Sequence, residues 1–207
     1  DSGDVVVTSE TPVAVPGARM APNGWLVPLS MFGLMGASQC LFVTFGAWLA
    51  DDFNFGASGI AAVGFALGAG ELLSSIGSAK LTDRVGKERS VALGAGLMVP
   101  SALVLAGFDS VLLVGLVALA VFIIGFEFAV VSMLPLATHL VPKRPGSGLG
   151  LVIGAGTLGR SVMSLVATRA YESSNGIALP ALIGAASAGV ATLLIYSYHR
   201  RGGLVHD

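Results

Sequence analysis

Six stretches of this chain are long, apolar and almost free of charge, and that pattern decides what the chain can fold into. They cover residues 24–50, 55–79, 90–108, 111–142, 146–168 and 176–198. The first, third and last contain no Asp, Glu, Lys or Arg. The second is interrupted only by Glu71, the fourth by Glu127 and the late His139, and the fifth by Arg160. A helix crossing about 30 Å of hydrocarbon needs about 20 apolar residues, and every run approaches or exceeds that length. The runs are too long for strands and lack the alternation of a lipid-facing barrel. Backbone polar groups in lipid must pair within their own segment, which leaves helices. The expected fold class is therefore all-α, a polytopic membrane protein with six transmembrane helices.

Composition agrees. Of 207 residues, 54% are hydrophobic and only 11% charged, against about 25% charged in an ordinary soluble domain. That balance disfavours a soluble enzyme and a disordered chain. With a net charge of −1 there is no basic excess for a phosphate backbone, so nucleic acid is not an expected partner. The 29 glycines suit close helix contact in lipid. A single cysteine, Cys40, leaves no internal disulfide and no multi-cysteine metal site, and it reads as a small packing residue. Neither a metal nor a cofactor is expected.

Residues 1–23 are rich in Pro, Gly, Ser and Thr and read as a flexible tail or a linker. No basic n-region precedes the first apolar run, so it is not a signal peptide. The start at Asp1 rather than Met suggests a processed or truncated product. Residues 200–207 form a second polar tail. The charges between runs sort by side. Lys80, Arg84, Lys87 and Arg89, then Lys143 and Arg144, then Arg200 and Arg201 lie on one side, with Arg19 before the first run. Asp51, Asp52, Asp109 and Glu172 lie on the other, with Arg169. The positive-inside rule then predicts both termini in the cytoplasm.

The connection from Gly77, GSAKLTDRVGKERSVALG, carries D-R-x-G-(K/R)-x-(R/K) after a helix-ending glycine. Gly86 permits a tight turn. Asp83 can cap a helix or pair with a basic residue. Arg84, Lys87 and Arg89 hold the loop inside and can contact anionic lipid headgroups. Through Gly77, Asp83, Arg84, Gly86, Lys87 and Arg89 the chain resembles the major facilitator superfamily, whose loop after the second helix carries this signature. FVTFGAWLADDF, GAGELLSSIGSAKLTDRVG, IIGFEFAVVSMLPLATHLVP and GLGLVIGAGTLGRSV resemble helices of the carboxy-terminal half of efflux-type permeases. One departure is Pro142-Lys143-Arg144-Pro145-Gly146, where related proteins often have P-x-x-R-(G/A).

The resemblance implies one six-helix half of a twelve-helix transporter, with residues 1–23 as the central linker. It implies placement in a plasma membrane, a bacterial inner membrane, and a role in transport rather than catalysis. The implied partners are a small-molecule substrate, a proton, membrane lipid and the missing amino-terminal half. A complete six-helix protein acting as a homodimer, or a non-transporting membrane scaffold, are the alternatives. In the resembled fold the first, second, fourth and fifth helices of each half line the pathway. The three intramembrane charges, Glu71, Glu127 and Arg160, fall on the second, fourth and fifth runs.

Such charges are costly in hydrocarbon and face a cavity or a partner. Counting about 1.5 Å per residue, Glu127 lies about 22 Å from Pro142 and Arg160 about 20 Å from Ser147, so a Glu127–Arg160 pair is expected. Glu71, about 12 Å from Ala79, is expected nearer the cytoplasm and out of contact with the other two. An apolar site favours the protonated form of a carboxylate, and a nearby guanidinium favours the ionised form. A change in their separation could therefore drive proton uptake and release.

Other signals are weaker. Gly154, Gly156 and Gly159 spell G-x-G-x-x-G but lie within an apolar helix, where Gly150 and Gly154 suit helix packing instead. Ser58 in GASG has no histidine on its side of the membrane and reads as a helix-start residue. Pro100, Pro135 and Pro180 are expected to kink their helices. Trp25 and Trp48 are expected to anchor the first helix at the interfaces.

Overall fold

The computed structural model describes residues 20–201, without the side chains of residues 79–81 and 83. The tail up to Arg19 and residues 202–207 lie outside the described residues. Among the described residues seven helices follow one another: α1 (Leu26–Phe42), α2 (Phe45–Phe53), α3 (Ala57–Val85), α4 (Lys87–Gly107), α5 (Leu112–Thr138), α6 (Pro145–Ser174) and α7 (Ala178–Arg200). They give six spans long and apolar enough to cross a membrane, with α1 and α2 together forming the first. No strand forms among the described residues.

Sequence chemistry explains the boundaries. The first span is interrupted at Val43 and Thr44, where the Thr44 hydroxyl donates to the Cys40 carbonyl at 2.7 Å. Such back-bonding bends a helix. Asn54 and Asn175 end α2 and α6 in the left-handed conformation, which asparagine tolerates. Pro145 stands in the first turn of α6, where its missing N–H removes no helical bond. Pro180 likewise falls in the first turn of α7, so only Pro100 and Pro135 are interior prolines. Helix α3 begins after Gly56, which places Ser58 within its first turn without a side-chain cap.

Helix α3 does not stop at Ala79. It runs on to Val85 and ends at Gly86, whose φ of 95° turns the chain directly into α4. Helical propensity does not change at a membrane boundary, and Lys80, Leu81 and Arg84 are good helix formers. A residue with free positive φ is what ends the helix.

Lipid tails are as apolar as leucine, so helices associate in a membrane through close packing and hydrogen bonds. The bundle shows both. Helix α4 packs along α5 and α7, and α1 along α6 and α7. A Cβ at Gly94 would lie 2.6 Å from the Gly125 carbonyl oxygen, so α4 and α5 touch backbone to backbone. A Cβ at Gly159 would collide with the Phe32 carbonyl, joining α6 to α1 in the same way. Gly150 and Gly154, the pair expected to pack, meet nothing within 4 Å. The contact lies instead at Gly156 and Gly159, because the helical rotation carries these two toward α1. Ser30 donates to the Ala191 carbonyl at 2.9 Å and Ser187 to the Gly33 carbonyl at 2.8 Å, tying α1 to α7.

Trp48 also departs from expectation. Its side chain is fully buried, and its indole N–H donates to the Asp109 carbonyl at 3.1 Å. It therefore locks α2 to the α4–α5 turn rather than anchoring in lipid. Trp25 stays exposed.

Candidate functional site

The spans are unequally enclosed. In its most apolar stretch the first span has 67% of its residues buried, whereas the corresponding stretches of α3 and α6 have 6% and 17%. Helix α3 leans mainly on α5, and α6 on α1, with no substantial contact between α3 and α6 among the described residues. Among the described residues these two helices are the least covered, and the intramembrane charges are found on or beside them.

Glu127 projects from α5 toward α3 and accepts a hydrogen bond from the Ser75 hydroxyl. Arg160 is exposed on α6, its guanidinium carbon 6.0 Å from the ring centroid of Phe126, the neighbour of Glu127. No Glu127–Arg160 ion pair forms among the described residues, so the expected pair is replaced by a hydroxyl on one side and an aromatic face on the other. Phe126 in turn meets Phe42 of α1 edge to face, with ring centroids 6.2 Å apart.

The depth of Glu71 is a second correction. Ser75 meets Glu127 and Thr82 meets Ser132, so α3 and α5 run in the same direction and Glu71 stands one turn, about 6 Å, farther from the basic end than Glu127. All three charges occupy the middle of the spans. Glu71 lies within electrostatic range of both Glu127 and Arg160.

Ser75 was not singled out by its sequence, yet a signal is present. Glu71, Ser75, Ser78 and Thr82 recur at helical spacing and form one stripe of α3. Ser75 meets Glu127. The Thr82 and Ser132 hydroxyls, both buried, are 2.7 Å apart. Ser74 donates to the Ile124 carbonyl at 3.1 Å. Hydroxyls therefore accompany the carboxylate along the α3–α5 contact toward the end of the bundle that carries Lys87, Lys143 and Arg200.

At that basic end, Gly86 makes the turn and Gly77 has open space around it. Arg84 and Arg89 are exposed, and Lys87 is half-buried. The side chain of Asp83 lies outside the described residues. The family model of the Major Facilitator Superfamily matches residues 27–203. The chain belongs to the major facilitator superfamily. It is thus a multi-pass membrane protein of a transporter family, and the six spans of this superfamily member are those described above. No curated protein matches the chain.

Proposed function

We propose that this chain is one half of a secondary active transporter that exports a small apolar or amphipathic solute in exchange for protons, by alternating access. In this reading the basic end faces the cytoplasm of a bacterial inner membrane and both termini are cytoplasmic. An amino-terminal six-helix half covers the open side of α3 and α6. A second copy of the chain is the competing occupant, and the mass of the purified full-length particle separates the two.

The observation that carries the reading is the shared depth of Glu71, Glu127 and Arg160 on the sparsely covered side of the bundle. Mid-span charges are tolerated where they face water or a protein partner. Glu127 is the proton carrier. While it is ionised, the Ser75 hydroxyl stabilises its carboxylate. Movement of α6 relative to α5 changes the distance from Arg160 to Glu127. Approach of the guanidinium favours proton release, and retreat favours uptake. Glu71 adds a second negative charge that solute or proton must neutralise. The loop of Gly77, Asp83, Arg84, Gly86, Lys87 and Arg89 gates the cytoplasmic end.

The experiment is flux through the full-length protein in vesicles under an imposed proton gradient. Glu127→Gln is expected to reduce gradient-driven flux to the level of protein-free vesicles while expression is retained. Undiminished coupled flux would remove Glu127 from the mechanism.

A further inference from the structure

We propose that the basic end of the bundle holds an anionic phospholipid, its phosphate gripped by Lys87, Arg89 and Lys143 and an acyl chain laid between α4 and α7. A cavity of about 820 Å³ opens there, bounded by the α3–α4 turn, the α5–α6 turn and the end of α7. Lys87 and Arg89 enter from the first turn of α4, Lys143 from the α5–α6 turn, and His139 from the end of α5. Cations from separate elements thus converge on one space. Lys143 adopts a φ of 66°, a left-handed conformation that an L-residue rarely holds. Among the described residues lining the cavity, the one acidic side chain, Glu88, is paired with His199. Val85, Leu136, Val141 and Pro142 supply apolar wall.

A second cavity of about 560 Å³ shares Val85, Glu88, Arg89 and His199 with the first. It continues along Ala92, Leu93 and Tyr196, between α4 and α7. Leu93 is 61% exposed and stands about 9 Å along α4 from Lys87, toward the hydrocarbon. Arg200 lies over the Tyr196 ring at 5.5 Å and adds a further cation at the rim. A basic mouth therefore opens into an apolar groove that descends into the membrane.

This continuity selects the ligand. A soluble phosphate would fill the mouth and leave the groove empty. A zwitterionic lipid would fill the groove but bring its own cation against Lys87, Arg89 and Lys143. An anionic headgroup with an attached acyl chain satisfies both parts. None of the residues of the Glu127 site takes part; Lys87 and Arg89 belong also to the loop read above as the gate, and lipid affinity, measured without flux, tests this inference separately from that reading.

Full-length protein in neutral detergent would be titrated separately with dioleoylphosphatidylglycerol, dioleoylphosphatidylcholine and inorganic phosphate. Binding is read by native mass spectrometry and by the thermal midpoint. Phosphatidylglycerol is expected to bind at least about tenfold more tightly than phosphatidylcholine, from several basic contacts near the surface. The double variant Lys87→Gln, Lys143→Gln is expected to lose that preference, and Arg169→Gln, at the opposite end, to keep it. Should the double variant not fold, Lys143→Gln alone, at an exposed turn, is expected to show a several-fold loss. Equal affinity for the two lipids, or an undiminished preference in the lysine variants, overturns the proposal. Stabilisation by inorganic phosphate equal to that by phosphatidylglycerol also overturns it, since the site would then be one for free anions.

Discussion

At Glu127 the difficulty of holding a carboxylate in hydrocarbon is met by the Ser75 hydroxyl across the α3–α5 contact. A hydrogen bond to a charged group contributes about 1.5–3 kcal/mol. Ser75→Ala is therefore expected to lower the rate of proton-coupled flux, while Ser75→Thr retains most of it. Gradient-driven flux in vesicles checks this, and an unchanged rate in Ser75→Ala would make Ser75 a packing residue only. Trp48 is the second decisive residue. It is fully buried, donates to the Asp109 carbonyl and sits against Gly115. Trp48→Ala is expected to destabilise the protein by about 3–5 kcal/mol, read as a fall in the detergent thermal midpoint. Neither role was legible in the sequence. A serine in an apolar helix reads as a small packing residue until the Glu71, Ser75, Ser78, Thr82 stripe is aligned with α5. A tryptophan near a helix end reads as an interface anchor, because burial depends on the α4–α5 turn folding over it.

Among the helices, contact rests on glycines that admit a neighbouring backbone. Gly159→Val places a side chain against the Phe32 carbonyl of α1 and is expected to cost about 1–3 kcal/mol through forced separation of α6 from α1. Gly154→Ala, which meets nothing within 4 Å, is expected to change the thermal midpoint far less. Paired melting curves in detergent check the difference. The existence of the spans was legible because uninterrupted apolar runs have few other solutions in lipid. Their ends were less so. The break at Val43 and Thr44 carries no proline, glycine or charge to mark it. The extension of α3 to Val85 lies in polar sequence, where composition marks the membrane edge and says nothing about the helix. The depth of Glu71 was hidden for another reason: it follows from the Ser75–Glu127 contact, which sets the register of α3 against α5. The facing of Gly156 and Gly159, rather than Gly150 and Gly154, toward α1 depends on helix rotation, which a nearly all-apolar helix does not reveal.

For the molecule as a whole, enclosure and charge divide it along the same line. The first span is well enclosed, α4, α5 and α7 partly so, and α3 and α6 scarcely at all. The mid-span charges belong to α3, α5 and α6, and the sequence placed them on those spans correctly. What it did not reveal was how they pair, since Arg160 turns to Phe126 and Glu127 to Ser75. In the proposed transporter these charges border a water-accessible pathway. Site-directed cysteines in the full-length protein, reacted with a charged, membrane-impermeant thiol reagent, test it most directly. Glu71→Cys and Arg160→Cys are expected to react at least about tenfold faster than Leu193→Cys, an exposed position within the charge-free stretch 178–198 of α7, because charges in a span mark a wet cavity. Equally slow reaction at all three positions would place Glu71 and Arg160 away from water and rule out a pathway beside them.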